Sequence, residues 1–266
     1  MSYYQKHRLE VLTSKGIIFG EEFEVDPGSR KSIQIQSLDG NSTKHQGGFV
    51  SIFNGKDFTG WEVESGAPSS WAIKEGELCA IGVADDTEAT LKTQGYLFST
   101  KDYKDFVLRF QFLQANGPYD WSGVALRAIP HETVQCVEPL WTENIPWHLT
   151  AIVGKRSPTQ SNAFVPGALL WTVGPMPFLP PDRLIDLRKP GEWNDFELEL
   201  KGQFLRMTLN GTEIQNVMLN KVSRPQKFVP GLNRFYGRIG FMKRVGEVHY
   251  RNIEIKELNE DSDAKP

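Results

Sequence analysis

The chain has 266 residues, 39% of them hydrophobic, which is enough to bury one large core and too apolar for wholesale disorder. Its net charge of −3, with both signs interspersed, offers no basic field to nucleic acid or to an anionic membrane surface. With 24 Gly and 16 Pro it promises many turns, and no apolar run approaches membrane-spanning length.

In chain order, Tyr3 to Leu12 fits either a short helix or a frayed tail. Nothing in the first twenty residues has the apolar core of a signal peptide, so the chain as written reads as cytoplasmic. Glu22–Val25 and Ser32–Gln36 alternate as two short strands around the turn Asp26-Pro-Gly-Ser29. Residues 1–48 thus form an N-terminal extension expected to join the main body, and Ser37 to Gly48 is a polar loop. From Phe49 the alternation is steadier. Trp71–Lys74 turns through Glu75-Gly76 into Glu77–Ile81, a hairpin. Tyr96–Ser99 and Phe106–Phe112 follow, with Phe106, Leu108, Phe110 and Phe112 on one face and destined for the core. Ser122–Ile129 and Thr133–Glu138 read as two further strands. Residues 139–190, rich in Pro, Trp and Gly, read as a long irregular excursion, a type of segment that often carries function.

The clearest hairpin comes next. Phe196, Leu198 and Leu200 alternate with acids, Leu205, Met207 and Leu209 alternate with polar residues, and Asn210-Gly211 supplies the positive-φ pair of a tight turn. Gly237–Met242 and Glu247–Ile255 complete the strands, and residues 259–266 form a charged, disordered tail. About a dozen short strands with regular turns and no long helix imply an all-β, two-sheet antiparallel jelly-roll sandwich over residues 49–258.

Five segments follow one order and spacing: Phe49-Val-Ser-Ile-Phe-Asn-Gly-Lys-Asp-Phe-Thr-Gly-Trp61, Ser122-Gly-Val-Ala-Leu-Arg127, Gly191-Glu-Trp-Asn194, Leu209-Asn-Gly211, and Ile239-Gly240 with Val248-His-Tyr-Arg-Asn-Ile-Glu-Ile-Lys-Glu-Leu258. Together they resemble the 3-keto-disaccharide hydrolase family. The resemblance implies a concanavalin A-like lectin/glucanase jelly roll, often exported in relatives, and cleavage of glycosides oxidised to a ketone at C3. A C3 ketone acidifies the C2 proton, so such a site needs a base, a polariser for the developing enolate and an acid for the leaving group. Polar positions depart from the family pattern. Thr133 stands where relatives carry an acid, Gln135 is kept, and Glu138 replaces Asp. Met242 and Arg244 replace Gln and His, and Trp121 replaces Asn.

Simple alternation places Gly123, Ala125 and Arg127 on one face, leaving a hollow above small side chains with a guanidinium at its floor. There Arg127 would polarise a carbonyl; the plainer reading is a surface ion pair. Glu138, at a strand end, is the candidate base against a merely solvated acid, and His131, in a turn after Pro130, is the alternative. Gln135 projects to the same face, and Arg244 joins it as a substrate-binding group. Trp121, Trp141, Trp147 and Trp171, in or beside loops, offer flat faces to a sugar or plug Pro-rich segments, while Trp61, Trp71 and Trp193 read as packing. Glu197-Leu-Glu199 superficially matches a retaining-glucanase pair, but the third acid is missing and a wet strand face explains it.

No cofactor is firmly implied. Asp85, Asp86 and Glu88 in one turn offer the oxygen ligands that calcium takes, against the plainer reading of three exposed acids. Cys79 and Cys136 sit in apolar runs and read as buried free thiols, and no Cys/His spacing resembles a zinc site. Two functions therefore stand beside each other: a hydrolase or lyase acting on 3-oxo-glycosides, and a non-catalytic, lectin-like carbohydrate-binding module. Either takes a small carbohydrate, with no nucleic-acid or membrane partner.

Overall fold

The computed structural model describes residues 6–13, 16–24, 48–64, 70–82, 95–135, 144–154, 165–171, 179–222, 232 and 234–258. The strands are β1 (Lys6–Thr13), β2 (Gly16–Glu24), β3 (Val50–Ser51), β4 (Trp61–Glu64), β5 (Trp71–Lys74) and β6 (Glu77–Ile81). They continue with β7 (Gly95–Tyr103), β8 (Phe106–Gln114), β9 (Trp121–Gln135), β10 (Asn144–Gly154) and β11 (Leu169–Trp171). The last five are β12 (Asn194–Lys201), β13 (Phe204–Leu209), β14 (Thr212–Met218), β15 (Gly237–Val245) and β16 (Glu247–Glu257). There is no α-helix among the described residues.

Two antiparallel sheets face each other. One runs β11-β10-β9-β15-β7-β4; the other runs β14-β13-β12-β8-β16-β6-β5, with β3 alongside β16. Neighbours distant in sequence, such as β8 and β16, mark the jelly-roll connectivity. Period-2 patterning builds the core. Phe196 lies opposite Phe110 and Leu198 opposite Leu108, so each apolar stripe stays in register. The Phe110 ring stacks on Phe196 at 5.3 Å and meets Phe241 of the other sheet edge-on at 5.6 Å. Tyr250 brings the one notable polar group into this layer, its hydroxyl donating to Ser122 Oγ at 2.6 Å while Ser122 donates to the Met242 carbonyl.

The motifs that carried the family resemblance turn out to be joints. Asn252 takes φ 52° at a bulge where β16 shifts register against β8, and its amide donates to Gln111 Oε1 at 3.0 Å. Arg251 reaches the same Gln111 oxygen and lies 4.0 Å over the Trp193 ring. Asn194, buried, accepts from the Arg188 N–H and from Asn210 Nδ2, tying the start of β12 to the β13–β14 turn. Asn210 and Gly211 have φ 49° and 78°, as their tight turn requires.

Three sequence expectations are corrected. The N-terminal strands lie at 6–13 and 16–24, so the stretch read as a helix or frayed tail is paired strand, while 32–36 lies outside the described residues. This hairpin forms a two-stranded sheet of its own and adds no strand to either main sheet; β2 contacts β7, whose two edges are already paired with β15 and β4. Third, β9 is one strand of 15 residues running through Pro130, and β10 and β11 occupy part of the segment read as irregular. Pro130 is tolerated because the ladder to β10 loses register between Ile129 and Thr133, where no N–H is needed for pairing. His131 therefore lies within a strand and not in a turn.

Candidate functional site

The outer face of the six-stranded sheet is the candidate site. Val124 and Leu126 of β9, Leu149 and Ala151 of β10, and Ile239 and Phe241 of β15 point into the sandwich core. The alternate positions, Trp121 and Ala125, Ile152, Met242, and Tyr96 and Phe98 of β7, form a second cluster on the opposite face. Gly123 and Ala125 make the small-residue trough expected from the sequence, and Gly240 of β15, opposite Ala125, joins it. The trough is not open. The Phe98 ring lies where a Cβ on Gly240 would sit, and Thr150 Cγ2 and Met242 Cε close over Gly123. Tyr96 stacks on Phe98 at 5.5 Å, and the buried His148 ring meets Tyr96 edge-on at 4.8 Å.

Arg127 departs from the expected face. It has φ 54° and sits in a bulge, since Ala125 to Ala128 of β9 oppose only Gly240 to Arg238 of β15. The extra residue breaks the alternation, and the guanidinium donates to the Gly202 carbonyl at the β12–β13 turn of the opposite sheet. Asp105 holds the same turn, accepting from the Gly202 N–H at 2.6 Å. The Arg127 carbonyl in turn accepts from Arg234 Nη1 at 2.9 Å. Burial lowers the Arg127 pKa to about 10, with Asp105 acting the other way. The side chain is 1% exposed and clamps the two sheets together; it is not at the floor of a sugar-facing hollow.

The outer face takes a cation from β15. Arg244 lies 5.3 Å over the ring of buried Trp121, so two of the expected site residues do meet. Lys243 beside it is 4% exposed, and burial, then the Arg244 charge, lowers its pKa. Sequence reading missed Lys243, Tyr96, His148 and Glu64. Glu64 of β4 stands directly opposite Tyr96, so its carboxylate shares the outer face with the aromatic cluster. The alternation Trp61-Glu-Val-Glu64 contained that signal, but without the β4–β7 pairing it pointed nowhere in particular.

The backbones of His131 and Gln135 lie on β9, with Gln135 opposite Asn144, and Trp171 lies on β11 opposite Leu149. Glu138, Trp141 and the Asp85-Asp86-Glu88 turn lie outside the described residues. Trp61 and Trp71 are buried, as expected of packing residues, and the Glu199 carboxylate pairs with Arg206 at 2.7 Å on the wet face of β12.

Comparison with known proteins agrees with this architecture. The model of the 3-keto-alpha-glucoside-1,2-lyase-like domain matches residues 48–256. Two crystal structures, each described as a "putative glycosyl hydrolase" from Parabacteroides distasonis, share the fold. One is 20% identical with TM-score 0.56, covering 80% of this chain and 94% of its own. The other is 19% identical with TM-score 0.55, covering 79% and 99%. No curated protein matches this chain.

Proposed function

The chain belongs to the 3-keto-alpha-glucoside-1,2-lyase-like family, and from that premise we propose that it cleaves 3-oxo-glycosides by removing the proton next to the ketone. The base takes the C2 proton, and its electron pair is held as the enolate on the C3 oxygen. As the enolate collapses, the C1–O bond breaks and the leaving oxygen takes up a proton. Water then adds across the resulting C1=C2 bond, or the unsaturated ketone departs as the product.

In this reading Glu138 is the base, His131 its alternative, and Gln135 binds substrate. The cation that steadies the enolate is Arg244, with Lys243, and not Arg127, whose guanidinium is committed to the opposite sheet. The observation that carries the proposal is the Arg244–Trp121 pair, which sets a guanidinium over a flat apolar ring on the outer face. Trp141 and Trp171 supply stacking surfaces for a pyranose, while the buried Trp121 ring backs the Arg244 guanidinium.

A second reading, a lectin-like binding module, is favoured by one observation: the trough beside Ala125 is paved by Phe98 and Tyr96. Incubation with 3-keto-trehalose or a 3-keto-β-glucoside, beside the unoxidised sugars, separates the two. The enzyme releases aglycone from the oxidised substrates alone, and Glu138→Gln abolishes release. Binding of both sugar classes without turnover of either establishes the module.

A further inference from the structure

On the outer face of the other sheet, β6 and β16 bring together four side chains that have no part in the proposed reaction. His249 lies directly opposite Cys79 in the antiparallel register, so Glu77 and Glu247 flank the imidazole from opposite ends. Nδ1 is 2.8 Å from Glu77 Oε2 and Nε2 is 2.8 Å from Glu247 Oε1. One donor atom from each of Cys79, Glu247 and His249 lies within 4.8 Å of the others. We propose that these three residues hold a divalent transition-metal ion of the zinc class, with Glu77 positioning the imidazole.

The donor set decides the class of ion. A thiolate, an imidazole and a carboxylate suit zinc and its neighbours, whereas calcium and magnesium take oxygen ligands alone. Three protein ligands leave a fourth tetrahedral position open, and the exposures of His249 (16%) and Glu247 (18%) show where solvent reaches it. Glu77 completes the arrangement. By accepting the Nδ1–H it selects the tautomer that turns Nε2 toward the ion, the carboxylate–histidine–metal pattern found around zinc. One rival cation is present, Lys74 Nζ at 2.7 Å from Glu247 Oε1, but that side chain is half exposed and swings into water when an ion displaces it. Sequence spacing gives no sign of such a site, because the donors come from strands that only the fold makes neighbours, with Glu77 and His249 172 residues apart.

The test uses the whole chain, stripped with chelator and then dialysed against Zn²⁺ or Co²⁺. The proposal expects one zinc ion retained per chain and, with Co²⁺, a thiolate-to-cobalt charge-transfer band. That band survives Cys136→Ser and disappears in Cys79→Ser. Glu77→Gln keeps the stoichiometry with affinity lowered about 10–100-fold, the usual cost of losing a group that orients a metal-bound histidine. Absence of stoichiometric metal, a band that vanishes with Cys136 instead, or full affinity in His249→Gln overturns the site. Should Cys79→Ser fail to fold, the wild-type and Cys136→Ser spectra decide alone. None of these readouts depends on glycoside turnover, so this site and the proposed reaction fail separately.

Discussion

At the scale of single residues, Asp57 shows how one exposed side chain fixes a loop. Its carboxylate accepts from the Thr59 N–H at 2.9 Å and from Asn54 Nδ2 at 2.7 Å, and hydrogen bonds from Thr59 first, then Asn54, lower its pKa from 3.8 to about 2. A carboxyl depressed in the folded state contributes stability that is complete above pH 3.8 and is lost as pH falls through about 2. Asp57→Asn is therefore expected to flatten the dependence of the urea midpoint on pH across that window, and an unchanged dependence would contradict it. Arg127→Gln removes a buried charged donor from the Gly202 carbonyl and is expected to cost about 1.5–3 kcal/mol in urea unfolding. The folded variant should keep its turnover of 3-oxo-glycosides; a stable but inactive Arg127→Gln would return that residue to the site. Its true direction was hidden from the sequence for a physical reason. Alternation assumes an unbroken ladder, and nothing in Ala125-Leu-Arg-Ala128 announces a bulge or a left-handed arginine.

Elements were legible where local chemistry decides them. Asn210-Gly211 carries its own turn, and the Phe106–Phe112 stripe needs only a period of two to find the core. What pairs with what was not legible. A proline in the middle of β9 looked like a break because the gap in its ladder to β10 exists only once the two strands meet. The same limit hid Glu64 beside Tyr96 and the Cys79–His249 neighbours, all brought together by pairing between distant strands. The paved trough gives a prediction for β15. A methyl on Gly240 collides with the Phe98 ring, so Gly240→Ala is expected to destabilise by about 1–3 kcal/mol through overpacking. Calorimetry checks this, and a neutral or stabilised variant would mean that the trough has room for a ligand.

For the whole molecule, the match over residues 48–256 agrees with the resemblance read from sequence, whose motifs form joints of the sandwich: the Asn252 bulge, the Asn194 corner and the Trp193–Arg251 stack. Those joints specify a jelly roll whichever chemistry it carries. The proposed chemistry is assigned to the outer face of the six-stranded sheet, where β15 places Arg244 over Trp121. Mutation of that cation is thus the most direct test. With a 3-keto-β-glucoside as substrate, Arg244→Gln is expected to lower kcat/KM by at least about 100-fold, as loss of a charge-stabilising donor does, with its unfolding midpoint near that of the wild type. Wild-type turnover of the oxidised glycoside that Arg244→Gln leaves intact, or no turnover by the wild type at all, would contradict the account.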